Sequence, residues 1–205
     1  MKNYYLSGVI GIVFSICVGL PTALFAQGIL LDQQVIEDLP GTQTSGTLAQ
    51  TFTVGIDGRL DSIDLRLQTI GNRTFDIRPT DIFGVPVSDD SAVLFSTNLA
   101  GTADQPFDFS IDVSSANIEV GTGDQLALVL SPTDATTGIL RWASSGSNPY
   151  ADGSGFFRND ITGEFATFFD TDNSFTTFVN TVPEPSAAIL GSVLLGANFI
   201  KRRRR

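Results

Sequence analysis

Few kinds of residue in this chain can do chemistry. It has no histidine, its one cysteine is Cys17, and its two lysines are Lys2 and Lys201. Residues 27–181 therefore lack the means for Ser-His-Asp catalysis, histidine-ligated zinc, thiolate chemistry, a Schiff-base lysine or a P-loop. Carboxylates remain. Asp170-Thr171-Asp172-Asn173-Ser174 alternates oxygen-bearing side chains of the kind that converge on Ca²⁺. An EF-hand starting at Asp170 needs glycine at its sixth position and glutamate at its twelfth, where this chain has Phe175 and Thr181. An ordinary Asp/Asn-rich turn explains the segment equally well, so the expectation is no metal and no cofactor, with calcium at Asp170 and Asp172 as the alternative. Trp142 and Tyr150, close in sequence to Phe156, Phe157, Asn148, Asp152 and Asn159, have the composition of a glycan-stacking platform. Core packing is the competing reading for these aromatics. Glycoside hydrolysis needs two carboxyl groups about 5 to 9.5 Å apart, one with its pKa raised by burial. The glutamates of the body, Glu37, Glu119 and Glu164, stand in no recognisable catalytic setting, and the chain is expected not to be an enzyme.

The elements that must position these residues are strands. Helical periodicity is absent from residues 27–181, where short runs of Phe, Val, Ile, Leu and Thr alternate with clusters of Gly, Pro, Asn, Asp and Ser. The pattern predicts strands over 29–36, 48–54, 60–69, 74–77, 92–98, 107–113, 125–130, 139–143, 155–158, 165–169 and 175–179, enough for one all-β sandwich. Ile63, Leu65 and Leu67 alternate with Ser62, Asp64 and Arg66, as do Phe107, Phe109, Ile111 and Val113 with Asp108, Ser110 and Asp112. Both segments read as half-buried antiparallel strands with one face to solvent. Leu126-Ala127-Leu128-Val129-Leu130 is apolar throughout and reads as the central strand, covered on both faces. The stretch from Thr80 to Asp90 reads as an irregular loop, and Asn72-Arg73-Thr74, formally a glycosylation sequon, as part of a turn after Gly71.

Charge narrows the partners. Six arginines (Arg59, Arg66, Arg73, Arg78, Arg141 and Arg158) face 21 acids in residues 27–181, a net of −15 where the whole chain carries −10. Such a body repels phosphate backbones and anionic lipid, so nucleic acid is excluded as a partner.

Both ends of the chain read as export signals. Lys2 precedes an apolar stretch from Gly8 to Leu20, Pro21 breaks it, and cleavage is expected between Ala26 and Gln27, making residues 1–26 a signal peptide. Cys17 lies inside the apolar stretch and not at its end, which argues against a lipoprotein anchor. At the other end Val182-Pro183-Glu184-Pro185-Ser186 is followed by an apolar run from Ala187 to Ile200 and then by Lys201, Arg202, Arg203, Arg204 and Arg205. As a helix the run is about 21 Å long, short of the roughly 30 Å hydrocarbon core but extendable by snorkelling arginines. The five cations hold the terminus on the cytoplasmic side and leave residues before Val182 outside. Pro183 and Pro185 keep the preceding backbone extended, a form suited to a protease at the bilayer surface.

In its three parts and their order, this C-terminal segment closely resembles the PEP-CTERM signal, the recognition tag of exosortase substrates. The resemblance implies a membrane-embedded exosortase acting near Val182, Pro183, Glu184 and Pro185. It also implies export through the inner membrane of a Gram-negative bacterium, transient anchoring by the C-terminal helix, and delivery to the cell surface or the extracellular matrix. A permanent membrane anchor is the alternative. Between the signals, Ala49-Gln50-Thr51-Phe52-Thr53-Val54, the strand from Leu60, Gly121-Thr122-Gly123-Asp124 with the strand that follows, Trp142, Tyr150 and Phe175-Thr176-Thr177-Phe178-Val179 look like the choice-of-anchor β-sandwich domains. That second resemblance implies a jelly-roll-like antiparallel sandwich over residues 27–181, between a signal helix and a transmembrane sorting helix (182–205), and no shared active site. A carbohydrate-binding module for extracellular polysaccharide is the alternative function.

Overall fold

The computed structural model describes residues 28–37, 41–102, 107–133, 138–159, 161–168 and 171–181. The signal peptide with Ala26 and Gln27, the sorting motif from Val182 and the cationic terminus lie outside the described residues. Among the described residues no helix is long and apolar enough to cross a membrane. The fold is all-β and every pairing is antiparallel. In chain order the strands are β1 (Ile29–Val35), β2 (Thr42–Thr44), β3 (Leu48–Thr53), β4 (Gly58–Thr69), β5 (Arg73–Pro79), β6 (Phe95–Leu99), β7 (Phe107–Asp112) and β8 (Glu119–Val120). There follow β9 (Gln125–Pro132), β10 (Leu140–Trp142), β11 (Ser144–Ser145), β12 (Gly155–Arg158), β13 (Phe165–Thr167), β14 (Asp172–Asn173) and β15 (Phe175–Asn180).

Two sheets pack face to face. The first is organised on the long strand β4, which carries β7 and β8 along one side and β15 and β10 end to end along the other, with β1 and β2 as the outer strands. The second runs β13-β12-β3-β9-β5-β6, and β11 pairs with β14 as a small ribbon. The core between the sheets is built from Leu48, Phe52, Phe75, Ile77, Leu128 and Leu130 on one side and Leu60, Ile63, Leu65, Leu67, Phe175 and Val179 on the other. Phe52 and Phe175 meet across it with ring centroids 5.7 Å apart. Each such side chain, fully withdrawn from water, stabilises the fold by about 1.5–3 kcal/mol before chain entropy is charged against it.

The alternation in β4 is as its sequence predicts, with one irregularity. Leu60 and Ile63 are three residues apart, yet both are fully buried. The register against β15 jumps there from Ser62↔Phe178 to Leu60↔Val179, so Asp61 is bulged out and the strand turns both apolar residues inward. The central position of β9 is also as expected, between β3 and β5. Leu126, Leu128 and Leu130 enter the core between the sheets, and Ala127 and Val129 are covered on the opposite face by a smaller cluster with Ala49 and Phe156. The predicted strand over 92–98 begins later, at Phe95, because Asp89 accepts a hydrogen bond from the Ser91 N–H and starts a 3-10 turn at Asp90–Ala92.

The region from Thr80 to Asp90 is more ordered than its composition suggests. Thr80 bridges Pro86, and Asp81 closes the loop: its backbone N–H donates to Val85 O, while its Oδ1 accepts from Phe83 N–H (2.8 Å) and Val85 N–H (2.9 Å). At the opposite pole of the chain order, β1 and β15 run side by side, Ile29 facing Asn180, and Thr181 N–H donates to Gly28 O at 3.2 Å.

Candidate functional site

The aromatic residues with the composition of a sugar platform are inside the protein, in keeping with the core-packing reading. Trp142 is 0% exposed and Tyr150 9%. Trp142 faces the core from β10, and its Nε1 donates to Ser174 O at 2.7 Å. The Tyr150 ring packs edge-on against Phe175, its hydroxyl accepting from Thr53 N–H and donating to Thr53 O. The platform reading is therefore corrected: indole and phenol each satisfy their polar atom on backbone in the interior, and neither presents a face to a ligand.

Asp172 is corrected in the same way from an exposed turn residue to a fully buried one. It begins the ribbon strand β14, and its carboxylate accepts from Gln50 Nε2 (3.1 Å) and Tyr150 N–H (2.8 Å). With the Asn148 amide nitrogen turned towards it, a third donor lies 2.7 Å away. Both oxygens are thus engaged by N–H donors, the opposite of what a cation requires. Burial pushes this carboxyl above its ordinary pKa of 3.8, against the hydrogen bonds from Tyr150 and Gln50. Asp170 lies outside the described residues, and among those described no group of three acidic, histidine or cysteine side chains is placed to hold a metal. Gln50, Trp142, Tyr150, Asp172, Asn173 and Ser174 form one buried polar knot that ties β3, β10 and β14 together.

Two arginines are also internal. Arg73, within the expected turn, starts β5, is 0% exposed and donates to the carbonyls of Ser45, Gly46 and Gly138. Burial lowers its pKa. Burial acts the same way on Arg78, but hydrogen bonds to Asp76 (2.8 Å) and Asp90 (2.9 Å) and their attraction outweigh it and raise the pKa. Asp90 is thereby committed to an ion pair and Asp89 to its turn, so neither is a free acidic loop.

What the sequence left unassembled is the outer face of the β4 sheet. The polar positions of β4 and β7, expected to face solvent, meet there in register: Asp64 lies between Ser110 and Thr176, and Thr176 lies opposite Gln34. The row crosses four strands, about 14 Å at the usual inter-strand spacing. One step along, Arg66 pairs with Asp108 at 3.4 Å. These residues, with the exposed Ile36, line a shallow groove of about 350 Å³, while the side chains of Leu65, Phe109 and Phe175 turn from its floor to the core. Gln34 Nε2 donates to Thr176 Oγ1 at 3.2 Å, and the Arg66–Asp108 pair keeps 43% and 72% of its side-chain surface in water. An ion pair so exposed is worth about 0–1 kcal/mol, so it can be opened by hydroxyl groups at little cost. Amide, hydroxyl, carboxylate and guanidinium thus meet in one groove.

No protein-family model matches the chain, and no curated protein is similar to it. Among solved structures it is similar to the crystal structure of the cysteine protease and lectin-like domains of Cwp84, a surface layer associated protein of Clostridium difficile. The TM-score is 0.52 at 14% identity, over 74% of this chain and 36% of that one. It is also similar to the clostridial cysteine protease Cwp84 after propeptide cleavage, with a TM-score of 0.53 at 14% identity over 74% of this chain and 40% of that one. The chain spans about two fifths of those proteins, and at this identity the likeness is one of fold.

Proposed function

We propose that this is an exported, non-enzymatic protein of the cell surface or extracellular matrix, with a jelly-roll-like sandwich as its body, delivered by residues 1–26 and processed by an exosortase at its C-terminal signal. The observation that carries the reading is the order Val182-Pro183-Glu184-Pro185-Ser186, apolar run, Lys201 to Arg205. The sandwich supports it by where it stops: β15 ends at Asn180 and Thr181 is bonded to Gly28, so one residue separates the folded body's last strand pairing from Val182. A protease at the bilayer surface would meet the motif immediately below a compact domain. Replacing Pro183 and Glu184 by alanine in an exosortase-competent host is expected to leave full-length protein in the membrane. Mature protein of unchanged size and location would refute the sorting role, and retention of the unaltered chain in the membrane would favour a permanent anchor.

The groove on the β4 sheet favours a second reading, carbohydrate binding, in which Gln34, Asp64, Arg66, Ser110 and Thr176 replace the buried Trp142 and Tyr150 as the contacting residues. Its acidic surroundings suit neutral or cationic glycans. Titration with neutral matrix polysaccharide is expected to show saturable binding that Asp64→Ala and Arg66→Ala weaken, and heat-neutral titrations would remove this reading.

A further inference from the structure

The loop after β5 carries two large apolar side chains into water: Ile82 is 92% exposed and Phe83 83%. Their position is fixed by the Asp81 hydrogen bonds already described, by Gly84 at φ +77°, and by Thr80 Oγ1 donating to Gln125 O. A rigid tip of this kind loses little conformational freedom when it is buried against a partner.

The same sandwich carries a receptor of matching character. Gln68, Ile70, Ile139 and Arg141 line a cleft of about 270 Å³, with Ile70 42% and Ile139 37% exposed. That is below the roughly 300–1,000 Å³ of small-molecule sites and of a size for one or two side chains. Its walls are set: Ile70 N–H donates to Ile139 O at 2.9 Å, Gly138 lies so close to Ile70 O that any added Cβ would overlap it, and the buried Arg73 holds Gly138 O from behind. Arg141 donates to Gln43 and Gln68 and, among the described residues, no carboxylate is within ion-pair distance of it. The tip is acidic at its base, through Asp81, and Phe83 offers an aromatic face that a guanidinium favours.

We infer that the Ile82–Phe83 tip of one copy docks in the Ile70–Ile139–Arg141 cleft of the next. Tip and cleft lie at opposite ends of β5, whose six steps span about 20 Å, so a chain cannot fill its own cleft. The contact joins two different surfaces and propagates head to tail, as an open row or a ring. It is small, and so weak in dilute solution; confinement of many copies on one surface would raise its occupancy through effective concentration. The inference needs only the sandwich, and it stands or falls independently of the sorting signal.

The test is disulfide trapping with full-length chains in a Cys17→Ser background. Differently tagged Phe83→Cys and Ile139→Cys chains, mixed and oxidised, are expected to form a heterodimer at least about tenfold faster than Phe83→Cys with the exposed control Ile161→Cys. Adding Arg141→Glu to the Ile139→Cys chain is expected to cut the yield by about threefold or more, because it sets a carboxylate against the acidic tip. A chain carrying both cysteines should give a ladder of oligomers. A heterodimer no faster than the control, self-linking of Phe83→Cys at an equal rate, a yield indifferent to Arg141→Glu, or a doubly substituted chain that stops at dimers would each overturn it.

Discussion

Replacing Trp142 by phenylalanine tests the buried polar knot directly. The smaller ring keeps the aromatic contact and removes the Nε1–H that now donates to Ser174 O at 2.7 Å. Ser174 is only 6% exposed, so its carbonyl is left without that donor where water has poor access, at about 1–3 kcal/mol. The lost ring volume, roughly 30 Å³ at about 24 cal/mol per Å³, adds about 0.7 kcal/mol. The sum is about 2–4 kcal/mol, which for a body of this size lowers Tm by about 5–15 °C. Urea and thermal unfolding followed by far-UV circular dichroism measure it, since the substitution removes the only tryptophan. In the unaltered protein the same residue provides a second readout: its emission should be blue-shifted and shielded from acrylamide. A variant within about 1 kcal/mol of the parent, or an indole quenched as freely as a model compound, would show that Trp142 is not packed and bonded as described.

Arg73→Met is expected to cost about 1–3 kcal/mol in urea unfolding, because the carbonyls of Ser45, Gly46 and Gly138 lose a charged donor. Arg73→Lys should recover only part of this, since one ammonium does not reproduce the planar fork; full recovery would refute that geometry. Asp172 supplies a pH signature. Its folded pKa is raised above 3.8, so the contribution of its protonated form is present below that value and is lost as pH rises through the folded pKa. Asp172→Asn cannot lose that contribution, and the Tm of the variant relative to the parent should increase between about pH 4 and pH 7. A constant difference across the range would contradict a buried carboxylate at this position.

The sequence made the framework legible where periodicity is strict. The alternation of Ile63, Leu65 and Leu67 and the unbroken apolar run from Leu126 to Leu130 each correspond to one burial pattern, and the strands have it. Leu60 was not legible as a partner of Ile63, because a bulge is a property of the pairing with β15, more than a hundred residues away. Strands β2, β8, β11 and β14 have two or three residues each, too few to show any period. Asp172 and Arg73 are charged residues that composition places at the surface, and only the convergence of distant donors and carbonyls allows them inside. The groove stands between these cases. Asp64, Arg66, Asp108 and Ser110 could be read as solvent-facing, but their assembly into one site depends on the β4–β7 register, which no local pattern encodes.

The bond between Gly28 and Thr181 also decides how this body carries load. A pull applied between those two residues acts across the β1–β15 ladder, so its hydrogen bonds are stressed one at a time, from Ile29 and Asn180 inward, and the strands peel apart. A pull on Thr181 resisted at the Ile70–Ile139–Arg141 cleft, at the far end of β4, runs along β15, which is bonded to β1 on one side and β4 on the other. There the bonds of both ladders share the force and must yield together. The sandwich is therefore soft to traction between its own ends and stiff to traction that passes through it to a neighbouring body.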